Sequence, residues 1–333
     1  MEKRKLGGGG TLVSAIGIGA MSFSDFYGST DTEKSHAVLR EALDLGIDHI
    51  DTANVYGQGV SEERIGSFLE KQGKGRHSLF KIATKAGIIR DDDGKVTYDN
   101  SPEHLQSALD KSLRRLGVDQ VELFYVHRRE HSRPIEDVTE TLAGLIKSGK
   151  VQQIGFSEIA PTSFVRAAAI HPIGAVQSEY SLATRYPELG LVQRTAELGA
   201  SLVAFSPVGR SLLTDTPHTI EIAKTVSFLK DNPRYMEPNL SWNIEATEGF
   251  RKLAGDMNVK TSSLAIAWLL HQGEHILPIP GTRSVEHLRE LAKGAALKLS
   301  RPDLEAIDRQ LPVGWAHGDR YSVAQWACPE RYC

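Results

Sequence analysis

The chain has 333 residues, 40% of them hydrophobic and 24% charged, with 39 Lys and Arg against 42 Asp and Glu for a formal charge of −3. This is a globular composition, and the near-neutral balance excludes a nucleic-acid or anionic-membrane partner, since no run of like charge exceeds Asp91-Asp92-Asp93, a solvated turn beside Gly94. No stretch approaches the ~18 apolar residues of a membrane span, the basic N-terminus lacks the apolar region of a secretory signal, and the two cysteines, Cys328 and Cys333, form no disulfide framework. A cytoplasmic location is expected.

In chain order, Gly7 to Gly10 form a turn into a glycine-rich strand over 11–21, together a small N-terminal β-hairpin. Apolar residues then recur at helical spacing over 33–45, and Ile47 to Asp51 read as a strand. A helix over 61–71 opens with Ser61 as a possible cap. Phe80 to Lys85 read as a strand, and Ser101-Pro102 starts a helix that Gly117 stops. Val121 to His127 are a strand, 135–148 a helix, and 151–156 a strand. The pattern continues with a helix over 161–170, a strand over 174–177, a helix over 189–198 and a strand over 200–205. A long irregular stretch, 207–242, follows, with Pro217, Pro233 and Pro238. Helices over 244–257 and 261–271, a strand over 275–279, helices over 284–294 and 301–311, and an irregular tail over 312–333 complete the chain.

Strand and helix alternate through about eight units with no linker, the pattern of a (β/α)₈ TIM barrel in a single domain over 1–333, with the long loop after its seventh strand. An open doubly wound sheet would carry a G-x-G-x-x-G between an early strand and helix, and none is present there.

In a barrel, successive strand ends face one mouth. Asp51 and Tyr56 follow the second strand, Lys85 ends the third, and His127 ends the fourth. A carboxylate, a phenol, an amine and an imidazole would therefore meet within reach, a set suited to proton transfer. Each also has a plain structural reading: Tyr56 packed on a polar turn, Lys85 extended to solvent, His127 finishing a strand. His127 and His131 have a metal-ligand spacing, but they flank Arg128 and Arg129 in a loop, so no metal is expected.

The whole chain resembles the aldo-keto reductase superfamily. The resemblance rests on Asp51-Thr52-Ala53-Asn54-Val55-Tyr56-Gly57, the Lys85 and His127 strands, and Lys147 to Val151 running into Ile154-Gly155-Phe156-Ser157-Glu158. It extends to Ala175 to Tyr180, Ala204 to Arg210, and Ile279-Pro280-Gly281-Thr282-Arg283. The nearest branch is similar to perakine reductases and potassium-channel β-subunits.

The resemblance implies NADP(H) as cofactor and a small-molecule carbonyl compound as substrate. It makes Tyr56 the general acid, Lys85, paired with Asp51, the group lowering the phenol's pKa, and His127 the group orienting the carbonyl. Ser157, Glu158 and Gln177 would hold the nicotinamide amide, and Phe205 would stack on its ring. Ser206, Pro207, Val208, Gly209 and Arg210 would cover the pyrophosphate. Gly281, Thr282 and Arg283, at a helix start, would take the 2′-phosphate, and His287 and Glu290 would lie near the adenine. The chain departs from the family pattern at Phe205, where tyrosine is commoner, at Glu158, at Leu291, and at Arg128-Arg129-Glu130 after His127. Two alternatives stand beside the enzyme: a cofactor-binding regulatory subunit with slow redox chemistry, and a barrel aldolase or isomerase using Lys85 as a Schiff-base amine.

Overall fold

The computed structural model describes residues 1–73, 75, 78–90 and 95–332, so the expected turn at 91–94 and Cys333 lie outside the described residues. Lys3–Leu6 (β1) and Thr11–Ser14 (β2) pair antiparallel, Lys3 opposite Ser14. Leu6 and Val13 pack against the inward-facing Leu123, Ala175, Val203 and Leu277, so the hairpin plugs the end of the barrel where strands begin. Gly7 N–H donates to Ser201 Oγ at 2.9 Å and Arg4 donates to the Gly273, Ile276 and Leu270 carbonyls, which pins the plug.

The single strand expected over 11–21 is two: β2, then Ile18–Gly19 (β3), the first barrel strand. Glycine is required at the second break. A Cβ on Gly19 would sit 2.6 Å from the Ile279 carbonyl oxygen, because the first and last strands come into contact there.

The rest alternates as expected. Thr32–Asp44 (α1) is capped by Asp31, whose carboxylate accepts from Lys34 N–H. His49–Asp51 (β4), Val60–Lys71 (α2) and Lys81–Ala86 (β5) follow. Ser61 does not cap α2. Its hydroxyl donates to the Ala20 carbonyl at 2.7 Å and meets Thr52 Oγ1 at 2.8 Å, tying the helix to the strand ends. An unanticipated antiparallel pair, Ile88–Arg90 (β6) with Val96–Tyr98 (β7), extends from β5. Pro102–Leu116 (α3) has its Ser101 cap and stops at Gly117 in the left-handed region.

Val121–Val126 (β8), Ile135–Lys147 (α4), Val151–Ser157 (β9), Pro161–Ile170 (α5), Ala175–Glu179 (β10), Leu191–Glu197 (α6) and Ser201–Phe205 (β11) continue the alternation. The stretch expected to be irregular contains Ile220–Thr225 (α7) and the start of Asn239–Ala246 (α8). It has a small core of its own, with Leu212, Leu229, Tyr235 and Leu240 buried together. The helix expected over 244–257 is broken at Thr247 into α8 and Glu248–Asp256 (α9). Thr261–Leu270 (α10), Ile276–Pro278 (β12), Val285–Ala296 (α11) and Arg301–Gln310 (α12) end the regular structure.

The eight strands run in the order β3-β4-β5-β8-β9-β10-β11-β12, every pair parallel. Gly17 N–H donates to the Pro278 carbonyl at 2.8 Å and Gly19 N–H to the Pro280 carbonyl at 2.9 Å, joining the last strand to the first. The molecule is a (β/α)₈ barrel whose mouth gathers the strand ends. Among the described residues no helix is long and apolar enough to cross a membrane.

Candidate active site

Asp51 ends β4 and Lys85 lies near the end of β5. The two strand ends remain in register beyond the sheet, Thr52 N–H donating to the Ala83 carbonyl at 2.9 Å and Asn54 N–H to the Lys85 carbonyl at 3.1 Å. The chain then reverses directly after Tyr56. Gly57, Gln58 and Gly59 all have positive φ, and a Cβ on Gly57 would lie 3.0 Å from both Ser24 Cβ and Val60 Cβ. The phenol is thereby held at the mouth by a turn that tolerates little else.

Lys85 is fully buried, and its ammonium donates to an Asp51 carboxylate oxygen and, at 2.7 Å, to the Thr52 carbonyl. The other Asp51 oxygen accepts from Gln177 Nε2 at 2.7 Å. Lys85 Nζ stands 5.1 Å from the centre of the Tyr56 ring. The His127 ring meets the Tyr56 ring edge to face, centroids 5.6 Å apart, and His127 Nδ1 is buried without a hydrogen-bond partner among the described residues. The four residues expected to converge do so.

Their electrostatics differ from expectation in one respect. Burial, and then the Asp51 charge, push the Tyr56 phenol above its ordinary value, and the cation opposing them is Arg128. The resting protein therefore holds Tyr56 protonated. Burial also lowers Lys85, against the pull of Asp51. His127 lies well below its ordinary value through burial and the nearby Arg128 and Lys85 charges, so its imidazole is neutral.

A pH dependence of stability follows. His127 and the buried His49 both have lowered pKa values in the folded chain, whereas the unfolded chain protonates near the ordinary value of 6.5. Below that pH the unfolded state binds more protons, and stability falls as pH falls, by up to about 1.4 kcal/mol per pH unit per histidine. Urea midpoints are expected to drop between about pH 6.5 and pH 5; a midpoint that is constant or rises on acidification contradicts the assignment.

The residues expected to hold a cofactor line the next strand ends. Ser157 closes β9, and its hydroxyl accepts from Arg128 Nη1 at 3.0 Å. Glu158 pairs with Arg320 through two bonds of 3.0 and 2.5 Å and accepts from the Glu179 N–H at 2.9 Å. Glu179 in turn pairs with Arg210 at 2.5 Å and lies 3.8 Å from Arg234. Three guanidiniums thus face two carboxylates, a buried cluster with one positive charge in excess. Glu179, Arg234 and Arg320 were not singled out from sequence: Arg234 lies in the stretch read as irregular, and Arg320 in the tail.

Phe205 ends β11 half-buried, packed against the barrel's inner core. In the turn that follows, Ser206 and Arg210 have φ of 51° and 48°, and Glu158 has 58°. Such non-glycine backbones cost about 1–3 kcal/mol each and cluster at ligand sites. Pro207 and Val208 lie between them, and Gly209 is buried beneath, its carbonyl accepting from the Tyr235 hydroxyl. Across the barrel seam, Gly281, Thr282 and Arg283 precede α11, whose cap is Ser284. Gly281 and Arg283 are exposed, and Arg283 Nη1 donates to the Ser29 carbonyl at 3.0 Å. His287 is exposed on the first turn of α11, and Glu290 is half-buried, 4.0 Å from Lys260. Leu291 belongs to the core, so its side chain is closed to a ligand.

A half-buried ring at a strand end, a strained turn with surplus positive charge, and a helix start beside an exposed arginine together fit an extended dinucleotide carrying several phosphates. Glu158 fits less simply, since both of its oxygens are engaged by Arg320.

The family model described as the aldo/keto reductase family matches residues 15–311. The chain is 36% identical over 317 residues to "Aldo-keto reductase yakc [NADP(+)]" of Schizosaccharomyces pombe, covering 94% of this chain and 93% of that protein. It is 38% identical over 318 residues to "Probable aldo-keto reductase 1" of Glycine max, covering 95% and 91%. Among solved structures, the glycerol dehydrogenase AKR11B4 of Gluconobacter oxydans superposes with a TM-score of 0.81 at 25% identity, over 93% of this chain and 94% of that one. The holo form of aldo-keto reductase AKR11C1 from Bacillus halodurans superposes with 0.78 at 26% identity, over 98% and 99%. By its fold, the geometry of its mouth and these matches, the chain belongs to the aldo/keto reductase family.

Proposed function

We propose that the chain, acting as one barrel domain, is an NADPH-dependent reductase of aldehydes or ketones. The observation that carries this reading is the buried Lys85–Asp51 pair with the Tyr56 and His127 rings gathered against it at the barrel mouth. When bound, the reduced nicotinamide supplies the hydride for the carbonyl carbon. Ser157 and Gln177 would hold its amide, Phe205 would lie against its ring, and the Ser206–Arg210 turn and Arg283 would hold its phosphates.

The chain's own groups handle the oxygen. The neutral His127 imidazole donates a hydrogen bond that fixes the carbonyl in line with Tyr56. As negative charge grows on that oxygen, the Tyr56 hydroxyl donates its proton to it, an alkoxide being a stronger base than a phenolate. The phenolate left behind is stabilised by the Lys85 ammonium, which Asp51 and the Thr52 carbonyl hold in place. A panel of aldehydes and ketones with NADPH, followed by loss of the reduced nicotinamide's near-ultraviolet absorbance, tests the reading. Turnover of reactive aldehydes is expected, and a panel without turnover rejects it.

The cofactor preference gives a further expectation. Arg283 is exposed at a helix start, suited by charge to a 2′-phosphate. Arg283→Ala should weaken NADPH binding by roughly tenfold or more, the scale of a charge-assisted pair, and leave NADH binding unchanged. Equal loss for both cofactors, measured by fluorescence titration, removes the assignment.

A further inference from the structure

We propose that Arg128 is a substrate-positioning residue whose guanidinium receives an anionic substituent, a carboxylate, on the carbonyl compound reduced at this site. The proposal rests on the reductase reading and narrows its substrate class.

Several cations near the mouth have a carboxylate partner. Lys85 has Asp51, Arg210 has Glu179, Arg320 has Glu158, and Arg129, the next residue along, has Glu330. Arg128 has no carboxylate within ion-pair distance among the described residues. It donates from Nη1 to the His127 carbonyl at 2.7 Å and to Ser157 Oγ at 3.0 Å, and from Nη2 to the Tyr321 hydroxyl at 3.4 Å. All three acceptors are neutral. A half-buried guanidinium keeps its charge whatever its surroundings, and neutral oxygens offset its lost hydration less completely than a carboxylate does. The planar fork, held beside the two side chains that would bind the carbonyl, suits a second, anionic group on the same molecule.

Its charge reaches the reacting groups, since Arg128 is the cation that draws the Tyr56 phenol down and one of the two that depress His127. Aromatic rings border the fork. Tyr321, whose hydroxyl accepts from Arg128, stands between Phe228 and Trp326, ring centres 6.4 and 5.4 Å away, and Phe228 meets Phe26 at 5.4 Å. The faces of these rings already carry the Arg210, Arg320 and Arg331 guanidiniums, so Arg128 fixes the charge of the substrate and leaves its body open.

The test compares para-formylbenzoate with its methyl ester, two aldehydes alike except for the charge, as substrates of wild type, Arg128→Gln and Arg128→Lys. The wild type is expected to favour the acid in kcat/KM. In Arg128→Gln the acid-to-ester ratio should fall by about 10- to 100-fold, the range of a charge-assisted pair, and Arg128→Lys should restore part of it. Calorimetry of benzoate and benzamide on the NADP⁺-loaded protein supplies a readout independent of turnover, with benzoate affinity falling in Arg128→Gln and benzamide affinity holding. An acid-to-ester ratio that is the same in wild type and Arg128→Gln overturns the proposal. So does a loss of NADPH affinity with that ratio unchanged, which makes Arg128 a cofactor contact. If neither aldehyde is reduced while benzoate still binds through Arg128, the anion site stands and the reductase reading falls.

Discussion

Tyr56→Phe should lower kcat for carbonyl reduction by at least about a hundredfold, the contribution typical of general acid catalysis, while NADPH affinity stays at its wild-type value. In the proposed mechanism the phenol, protonated at rest, is the proton donor. It is not among the groups proposed to hold the dinucleotide, so its loss should leave cofactor affinity unchanged. The direction of its pKa shift adds a pH signature. Burial and the Asp51 charge raise it, reduction uses the protonated form, and that form persists below the raised value. Reduction is therefore expected to be flat from neutral into alkaline pH. Alcohol oxidation needs the phenolate and should rise with pH across the same range. Near-wild-type turnover in Tyr56→Phe means that the proton comes from another group.

Lys85→Met should be at least as damaging, and it should damage stability too. The ammonium is fully buried. Its removal leaves the Asp51 carboxylate buried with Gln177 as its remaining side-chain partner. Breaking such a pair costs about 3–5 kcal/mol of folding stability, because one charge remains uncompensated. It also leaves the developing phenolate beside an anion and without a cation, so kcat should fall by about a hundredfold or more. The double variant Asp51→Asn/Lys85→Met separates the two effects. Urea unfolding should show most of the lost stability recovered, since no lone charge is left, while activity stays low. Recovery of activity together with stability would mean that the pair serves only the fold.

The strand-end residues were legible because a barrel converts sequence order into position. Once β4, β5 and β8 were recognised by their apolar runs, Asp51, Lys85 and His127 had to share one mouth, and the turn glycines after Tyr56 placed the phenol there. The remainder was hidden for physical reasons. Strands β6 and β7 have three residues each and helix α7 has six, too short to establish a period. The glycine-rich stretch 11–21 looks continuous, and only the steric contact at the barrel seam requires its division. The buried ionic cluster joins Glu158 to Arg320 across 162 residues of sequence, and nothing local to the tail marks that arginine. Lys85 was expected to draw the phenol's pKa down. In the resting protein burial and the Asp51 charge act in the opposite direction and prevail.

A single-turnover measurement separates a reductase from a dinucleotide-binding subunit. The wild-type protein, loaded with NADPH, is mixed with a large excess of a reactive aldehyde, and the absorbance of the reduced nicotinamide is followed with the alcohol product assayed at the end. Complete oxidation of the bound cofactor in one fast phase is expected, with one alcohol formed per active site. Cofactor that stays reduced, or decays no faster than without aldehyde, would contradict the reductase reading and identify the chain as a dinucleotide-binding subunit in which redox chemistry is slow.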